Sequence, residues 1–445
     1  MSDAPPKAHV ATKPALGDAL RKALSADKRI TAWQTRRFAR RGLQTYLVKT
    51  QPESTRWTQG ETYDVAVFVK NGDQLGRAGV TLGPGDASQL ASRIDEAVYM
   101  AGLGGDTPWA LPGAGTKTTV EMYDPALGQG RVRATSQQLV GAWRDAVNAM
   151  PGVRPSSMEL FCGEEATRLE NSAGLSVEST ATRVSLLTLL LASGEKAAER
   201  YSWDERRRAA DLDVKGIVQR AGQEALDLTH AIVPPSGQYP VLIDADELVG
   251  FLAPIENNTS AEQLYEKSSR FEVGKPLPIE AKNGEPLNVW SNAVAPYGLD
   301  SYAFDNNGVA GQRIQLIKDG VFVHPWATKQ YADYLGTTPT GGFANWELPT
   351  GKASLAELTS GDGPILYVRS FSWLTPDQAR GNFGSEVRVG YLYEKGVKKP
   401  VKGGTVSGSV FSALGNARYA SDAVFRGNYM GPAAVRFEGL TVTGA

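Results

Sequence analysis

Residues 386–411 read EVRVGYLYEKGVKKPVKGGTVSGSVF. Valine, tyrosine and leucine recur through residues 386–393, and a second apolar-alternating run follows the turn Glu394-Lys395-Gly396. A third run begins after Gly403-Gly404. Runs rich in β-branched and aromatic residues, separated by glycine-containing turns, predict a β-meander. The stretch holds no histidine, no cysteine and no nucleophile paired with a base. The chemistry of this scaffold therefore has to be sought elsewhere in the chain.

Outward from the meander, the strand pattern continues. Beyond residue 285 the chain is mostly strands and turns, with reversals at Asn306-Asn307-Gly308, Lys318-Asp319-Gly320 and Lys395-Gly396 and one helix at 327–336. VLIDADELVGFLA, from Val241, starts as a strand and turns helical at about Asp246. Residues 16–41 have helical spacing, with Leu16, Leu20 and Leu24 at i+4. GLQTYLVKT (42–50), TYDVAVFVKN (62–71) and GRAGVTLG (76–83) read as strands, and Asn71-Gly72-Asp73 as a hairpin turn. A helix capped near Asp86 runs to about Met100. Another helix fits 135–149 with its cap near Thr135. At least three strands fit 157–192, turning at Asn171–Gly174, and two helices fit 200–233. The expected class is α+β: an N-terminal extension and helix (1–41), a sheet-plus-helix domain (42–102), a Gly/Pro linker (103–117), a middle α/β region (118–238) and a strand-rich C-terminal domain (239–445).

With 445 residues, two or three domains are expected, and the cores need no covalent staples. Lys plus Arg number 47 against 48 Asp plus Glu, so the whole-chain charge gives no argument for nucleic acid or an anionic membrane as partner. Two basic clusters, Arg36–Arg41 and Arg206-Arg207-Arg208, read as solvated segments. The single cysteine, Cys162, precludes an intramolecular disulfide and fits a reducing compartment. No apolar signal-type segment opens the chain, and the longest apolar run, around Val184–Ala192, is too short to span a bilayer. A cytoplasmic protein is the expectation.

Candidate chemistry is sparse. Of three histidines, His9 lies in the N-terminal tail, His230 follows a helix and suits its C-terminal carbonyls, and His324 lies in a turn that either borders a groove or is plain surface. Their scatter makes a poor zinc site. Cys162 reads as a small buried hydrophobe. Gly102-Leu103-Gly104-Gly105 neither follows a strand nor opens a helix, so it does not read as a phosphate loop. Asp244, Asp246 and Glu247 crowd a strand–helix junction. They either bind a cation or cap the helix and complement its dipole.

Several segments carry a resemblance. The 386–411 meander, DNNGVAGQRIQLIKDGVF (305–322), YLGTTPTGG (334–342), ENSAGLSVES (170–179) and the closing VRFEGLTVTG resemble, in order and spacing, the TldD/PmbA family of cytoplasmic metallopeptidase subunits. The likeness covers roughly residues 42–445 and implies that family's three-part fold. The family's active member carries HExxxH on a helix after a strand, plus a late cysteine. Two histidines and the thiolate hold a metal with an open position, and the glutamate acts as base. Laid without gaps on that segment, Ala253 and Asn258 stand at the histidine positions and Pro254 at the glutamate. The late cysteine falls near Asn428-Tyr429-Met430. All three ligands and the base are missing, and Glu256 alone does not replace them.

The resemblance thus implies a PmbA/TldE-type subunit with no catalytic residue and no metal or cofactor of its own. Zinc or a similar divalent metal would sit in a TldD-like HExxxH partner. The two chains would form a heterodimer, a homodimer being the alternative, that takes unfolded or precursor peptides into a central cleft. His324, Glu256, Asn257 and Asn428 are the residues expected near that cleft, with the meander as its wall. Replacing Asn258 is expected to matter little. Two further readings stay open. One is a homodimeric hydrolase built on His324 or the Asp244/Asp246/Glu247 cluster. The other is a peptide-binding or regulatory protein without a peptidase partner.

Overall fold

The computed structural model describes residues 15–115, 118–279 and 283–445; His9 lies outside them. The first six strands are β1 (Ala32–Val48), β2 (Gln51–Asn71), β3 (Gln74–Leu82), β4 (Val153–Asn171), β5 (Ser176–Ser193) and β6 (Ala197–Arg206). They form one antiparallel sheet in the order β3-β2-β1-β4-β5-β6. Four helices cover one face: α1 (Ala15–Ala26), α2 (Leu90–Gly102), α3 (Val132–Asn148) and α4 (Val214–Leu228). Leu20, Leu24, Ile94 and Val98 bury against Trp33, Val65 and Val67. Trp143, Ile217 and Val218 bury against Leu43, Met158, Val184 and Leu186.

This sheet departs from several expectations. The helix over 16–41 ends at Ala26 and β1 starts at Ala32, so Arg36–Arg41 is strand. Three of its four arginines are paired across the sheet: Arg36 with Asp64, Arg37 with Glu61 and Arg41 with Glu164. Alternation over 32–41 is masked because Arg37 faces inward with Trp33 and Ala39. Residues 157–192 hold two long strands rather than three, joined at the expected Asn171–Gly174 turn. Residues 200–233 hold the end of edge strand β6 and one helix rather than two. Helix α3 starts at Val132, and Thr135, inside it, donates its hydroxyl to Ala126 O at 2.6 Å instead of capping. A 3-10 turn (Pro84–Gln89) precedes α2. Because β1 pairs with both β2 and β4, the sheet runs through both the 42–102 and the 118–238 segments.

The remaining chain builds two more sheets. In order come β7 (Gly237–Gln238), β8 (Val241–Asp244), helix α5 (Ala245–Asn258), β9 (Val289–Asn292), β10 (Arg313–Lys318), β11 (Val321–Phe322) and β12 (Asn345–Glu347). Then follow β13 (Ile365–Phe371), β14 (Asn382–Glu394), β15 (Val397–Val401), β16 (Thr405–Ser409), β17 (Arg418–Tyr419), β18 (Ala423–Arg426), β19 (Tyr429–Pro432), β20 (Ala434–Phe437) and β21 (Thr441–Thr443). One sheet runs β11-β10-β9-β12-β19-β18. The other runs β17-β20-β8-β13-β14-β16-β21-β7, with β15 paired to β14. The meander is β14–β15–β16, with β15 on one half of β14 and β16 on the other. Val387, Leu392, Val401, Val406 and Phe411 lie in the main core, so the meander is interior scaffold. Helix α5 packs on that sheet through Leu248, Phe251, Leu252 and Ile255, with Phe251 against Phe383 and Phe437 at ring distances of 5.3 and 4.7 Å. Among the described residues no helix is long and apolar enough to cross a membrane.

Candidate functional site

Strand β8 is buried along its whole length between β13 and β20. It delivers Asp244 to the head of α5, where Oδ1 accepts from Asp246 N at 3.1 Å and caps the helix. The same carboxylate accepts from the Tyr367 hydroxyl and Arg369, and from Arg426 at 3.4 Å. Arg426 also reaches Asp246 at 2.7 Å. Arg369 continues to Glu224 at 3.1 Å, which in turn accepts from Arg200 at 2.5 Å. Burial opposes ionisation of Glu224, but Arg200 and Arg369 outweigh it and hold its carboxyl below the usual range. Glu247 accepts from Phe371 N at 3.2 Å, and burial raises its pKa. The acidic cluster is therefore a cap joined to an ion-pair network that ties α4, α5, β13 and β18 together.

Two turns further along α5 lie the positions of the metal motif. Ala253 offers only a methyl group. Pro254 has no side-chain donor atom and is buried. The Asn258 amide donates to Pro254 O at 2.9 Å and Gln378 O at 3.0 Å, and its oxygen accepts from Arg270 N at 2.8 Å. Asn257 also reaches Gln378 O, at 3.3 Å. Tyr429, at the position of the late thiolate, is buried and donates to Pro432 O at 3.0 Å. These residues do not fit a metal: none presents a free ligand atom. Among the described residues no group of three or more His, Cys, Asp or Glu is placed to hold one.

Glu256 does not stand alone. Its carboxyl is pushed up to about 7, first by burial and then by the like charge of Asp300. Asp300 accepts from the Asn428 amide at 2.6 Å. The Trp326 indole donates to Glu256 O at 2.9 Å. The loop carrying Asp300 is held by Arg207, which donates to Gly298 O at 2.8 Å, Leu299 O at 2.6 Å and Ser301 O at 3.3 Å. Arg207 is therefore buried, not solvated as the sequence suggested, and burial lowers its pKa to about 10. Beside this group a cleft of about 230 Å³ opens between β6, α4, α5 and the β18–β19 turn. It is bordered by Trp203, Arg220, Asp246, Val249, Leu299 and Asn428.

The fold thus brings Glu256 and Asn428 together around Asp300, and sets Asn257 on the neighbouring Gln378 loop. His324 is exposed, with Nδ1 2.8 Å from Pro325 O, and stands two residues before Trp326, which bonds Glu256 O. His230 follows α4; its backbone N donates to Asp227 O at 3.1 Å, while its ring Nδ1 lies 3.5 Å from Glu195 Oε1 rather than on the helix carbonyls. Cys162 is buried and its thiol is pushed up to about 12 by desolvation, which disfavours a nucleophile. Asp300 went unnoticed in the sequence, and Arg207 was noticed only as part of a basic cluster read as solvated. No local pattern marks them, because their partners come from distant segments.

Residues 236–444 match the family model described as PmbA/TldA metallopeptidase C-terminal domain, and residues 143–229 match the PmbA/TldA metallopeptidase central domain. A metalloprotease of Synechocystis is 28% identical over 240 residues, covering 50% of this chain and 51% of that protein. The metalloprotease PmbA homolog of Buchnera aphidicola is 25% identical over 283 residues, covering 62% of each. The chain therefore spans between half and two thirds of the length of these curated relatives. The fold is similar to that of TldE from Thermococcus kodakarensis, with a TM-score of 0.81 at 19% identity over 97% of this chain and 100% of that one. Two family models that between them span most of residues 143–444, together with that fold, place the chain in the PmbA/TldD family.

Proposed function

We propose that this chain is a non-catalytic subunit of a cytoplasmic two-chain metallopeptidase that cleaves unfolded peptides. Its relatives are named metalloproteases. The observation that carries the reading is the fate of the motif positions on α5. Ala253 and Pro254 offer no ligand atom, and the Asn258 amide and Tyr429 hydroxyl are spent inside the fold. In this reading an HExxxH partner supplies the divalent metal, zinc or similar. This chain contributes shape: the ion-pair network fixes α5, and the cleft beside Asp300 and Asn428 borders the shared peptide path.

The test is co-expression with a candidate HExxxH chain, followed by co-purification, metal analysis and peptide hydrolysis. The pair is expected to hydrolyse an unfolded peptide and each chain alone to do so poorly. One observation favours a second reading. Glu256, with its pKa near neutrality beside Asp300, has the character of a general acid. Metal-independent hydrolysis by this chain alone, lost in Glu256→Gln, would establish that reading and end the first.

A further inference from the structure

Edge strand β6 covers only part of β5. It pairs with Val184–Ser193, and beyond Arg206 the chain leaves the sheet as Arg207 bonds the 298–301 loop. Ser176–Ala181 of β5 therefore has β4 on one side and no strand on the other. Thr182 N donates away from β4, to Met122 O at 2.9 Å. By the alternation of an antiparallel strand, the N–H and C=O groups of Ser176, Glu178 and Thr180 point the same way. Among the described residues these groups have no hydrogen-bond partner. Residues 118–122, outside any helix or strand, present a second bare stretch of main chain. They are pinned by Thr118 Oγ1, which donates to Gly311 O at 3.2 Å, and by Tyr297 N, which donates to Glu121 O at 2.7 Å. Among the described residues the amides of Thr119, Val120 and Glu121 have no partner. Both stretches line one cavity of about 370 Å³, to which Leu175, Val177 and Phe304 give an apolar side.

We propose that this slot takes an extended segment of an unfolded peptide as an added strand on the free edge of β5. Three features favour that occupant. The first is the lining: unpaired main-chain donors and acceptors recognise another main chain, whatever its side chains. The second is that the edge is left unguarded. Exposed strand edges are usually blunted by proline, lysine or a bulge. Ser176–Ala181 has neither residue, and the one irregularity in the β4–β5 register falls at the far end, beside Pro155. The third is size: from Ser176 to Thr180 the edge runs about 14 Å, room for an extended segment of about four residues. Glu121 and Glu178 are exposed, one on each stretch, and oppose nucleic acid or any other polyanion. In its choice of occupant the proposal rests on the peptide-cleaving reading, but the slot itself requires neither metal nor hydrolysis.

The experiment titrates the full chain, alone and without metal, into an end-blocked, fluorescein-labelled octapeptide of serine, threonine and alanine, followed by polarisation. Saturable binding is expected with a Kd of about 1–100 µM. Thr180→Pro removes one outward N–H at an edge position that proline tolerates, and should weaken binding about tenfold. The same octapeptide methylated on every main-chain nitrogen should lose at least as much. Trp373→Ala, at a 75% exposed site off the slot, leaves binding unchanged. Matching circular dichroism verifies that the variants fold. If Thr180→Pro does not fold, hydrogen exchange on the wild type decides, because the peptide should slow the amides of Glu178 and Thr180. Binding without hydrolysis by the two-chain complex would end the peptidase reading and support this one. Five outcomes would overturn the proposal: no saturation by about 1 mM, a folded Thr180→Pro chain that binds like wild type, equal binding of the methylated peptide, exchange at Glu178 and Thr180 unaltered by peptide, or the same slowing without peptide when the chain is concentrated or a metal-bearing subunit is added.

Discussion

Glu256 and Asn258 sit two residues apart on one helix and answer to different forces. A carboxyl whose pKa is raised from about 4.5 to about 7 on folding is bound more tightly by its proton in the native state. The stability this gives is full below about pH 4.5 and is lost as pH rises towards 7. Glu256→Gln should therefore stabilise the protein at pH 8, by on the order of 1–3 kcal/mol, and change little at pH 4.5. Thermal melts at the two values test the sign, and a larger gain at the acidic value would refute it. Asn258→Ala should destabilise by about 1–3 kcal/mol at either pH, because it takes the acceptor from Arg270 N and leaves Gln378 O only its longer contact to Asn257. A midpoint of urea unfolding unchanged from wild type would contradict this. The expectation that Asn258 matters little was framed around metal. The residue that replaced a ligand is legible in sequence, but its new partners, about 120 and 12 residues away, are not.

Strands and helices were legible where one face alternates cleanly. The Asn71 turn appears as a two-residue loop at Gly72-Asp73, with Gly72 at a φ of 63°. The β8–α5 junction falls within a residue of the expected place. The full lengths of β1 and β6 were hidden, since β1 buries Arg37 in its inward row and edge strand β6 shows Tyr201 and Trp203 to solvent. Such strands are fixed by neighbours more than by their own pattern. The β1–β4 contact makes a prediction. A Cβ at Gly42 would lie 2.6 Å from Cys162 O, and one at Gly163 would lie 2.5 Å from Arg41 O, both rigid backbone atoms. Gly42→Ala and Gly163→Ala should each cost about 1–3 kcal/mol, read as a lower urea midpoint. Because the two sites share one contact, the double variant should cost less than the sum.

Across the molecule, Arg207 joins the halves, reaching from the end of the first sheet into the 298–301 loop of the C-terminal region. Arg207→Ala takes a donor from three carbonyls, of which Gly298 O keeps Ser301 N, and should cost on the order of 2–4 kcal/mol. It should also loosen the coupling between halves, so that a single calorimetric transition broadens or splits. An unchanged, single transition would mean that the halves are held by other contacts. The order of strands in the first sheet has a consequence for how the chain is made. β1 emerges from the ribosome with β2 and β3, but its other neighbour, β4, begins about a hundred residues after β1 ends. At about 5–20 residues per second, that edge waits unpaired for roughly 5–20 seconds. A bare strand edge invites pairing with other chains. Slower elongation through 103–152 should therefore lower the soluble yield of newly made protein without altering the stability of what does fold.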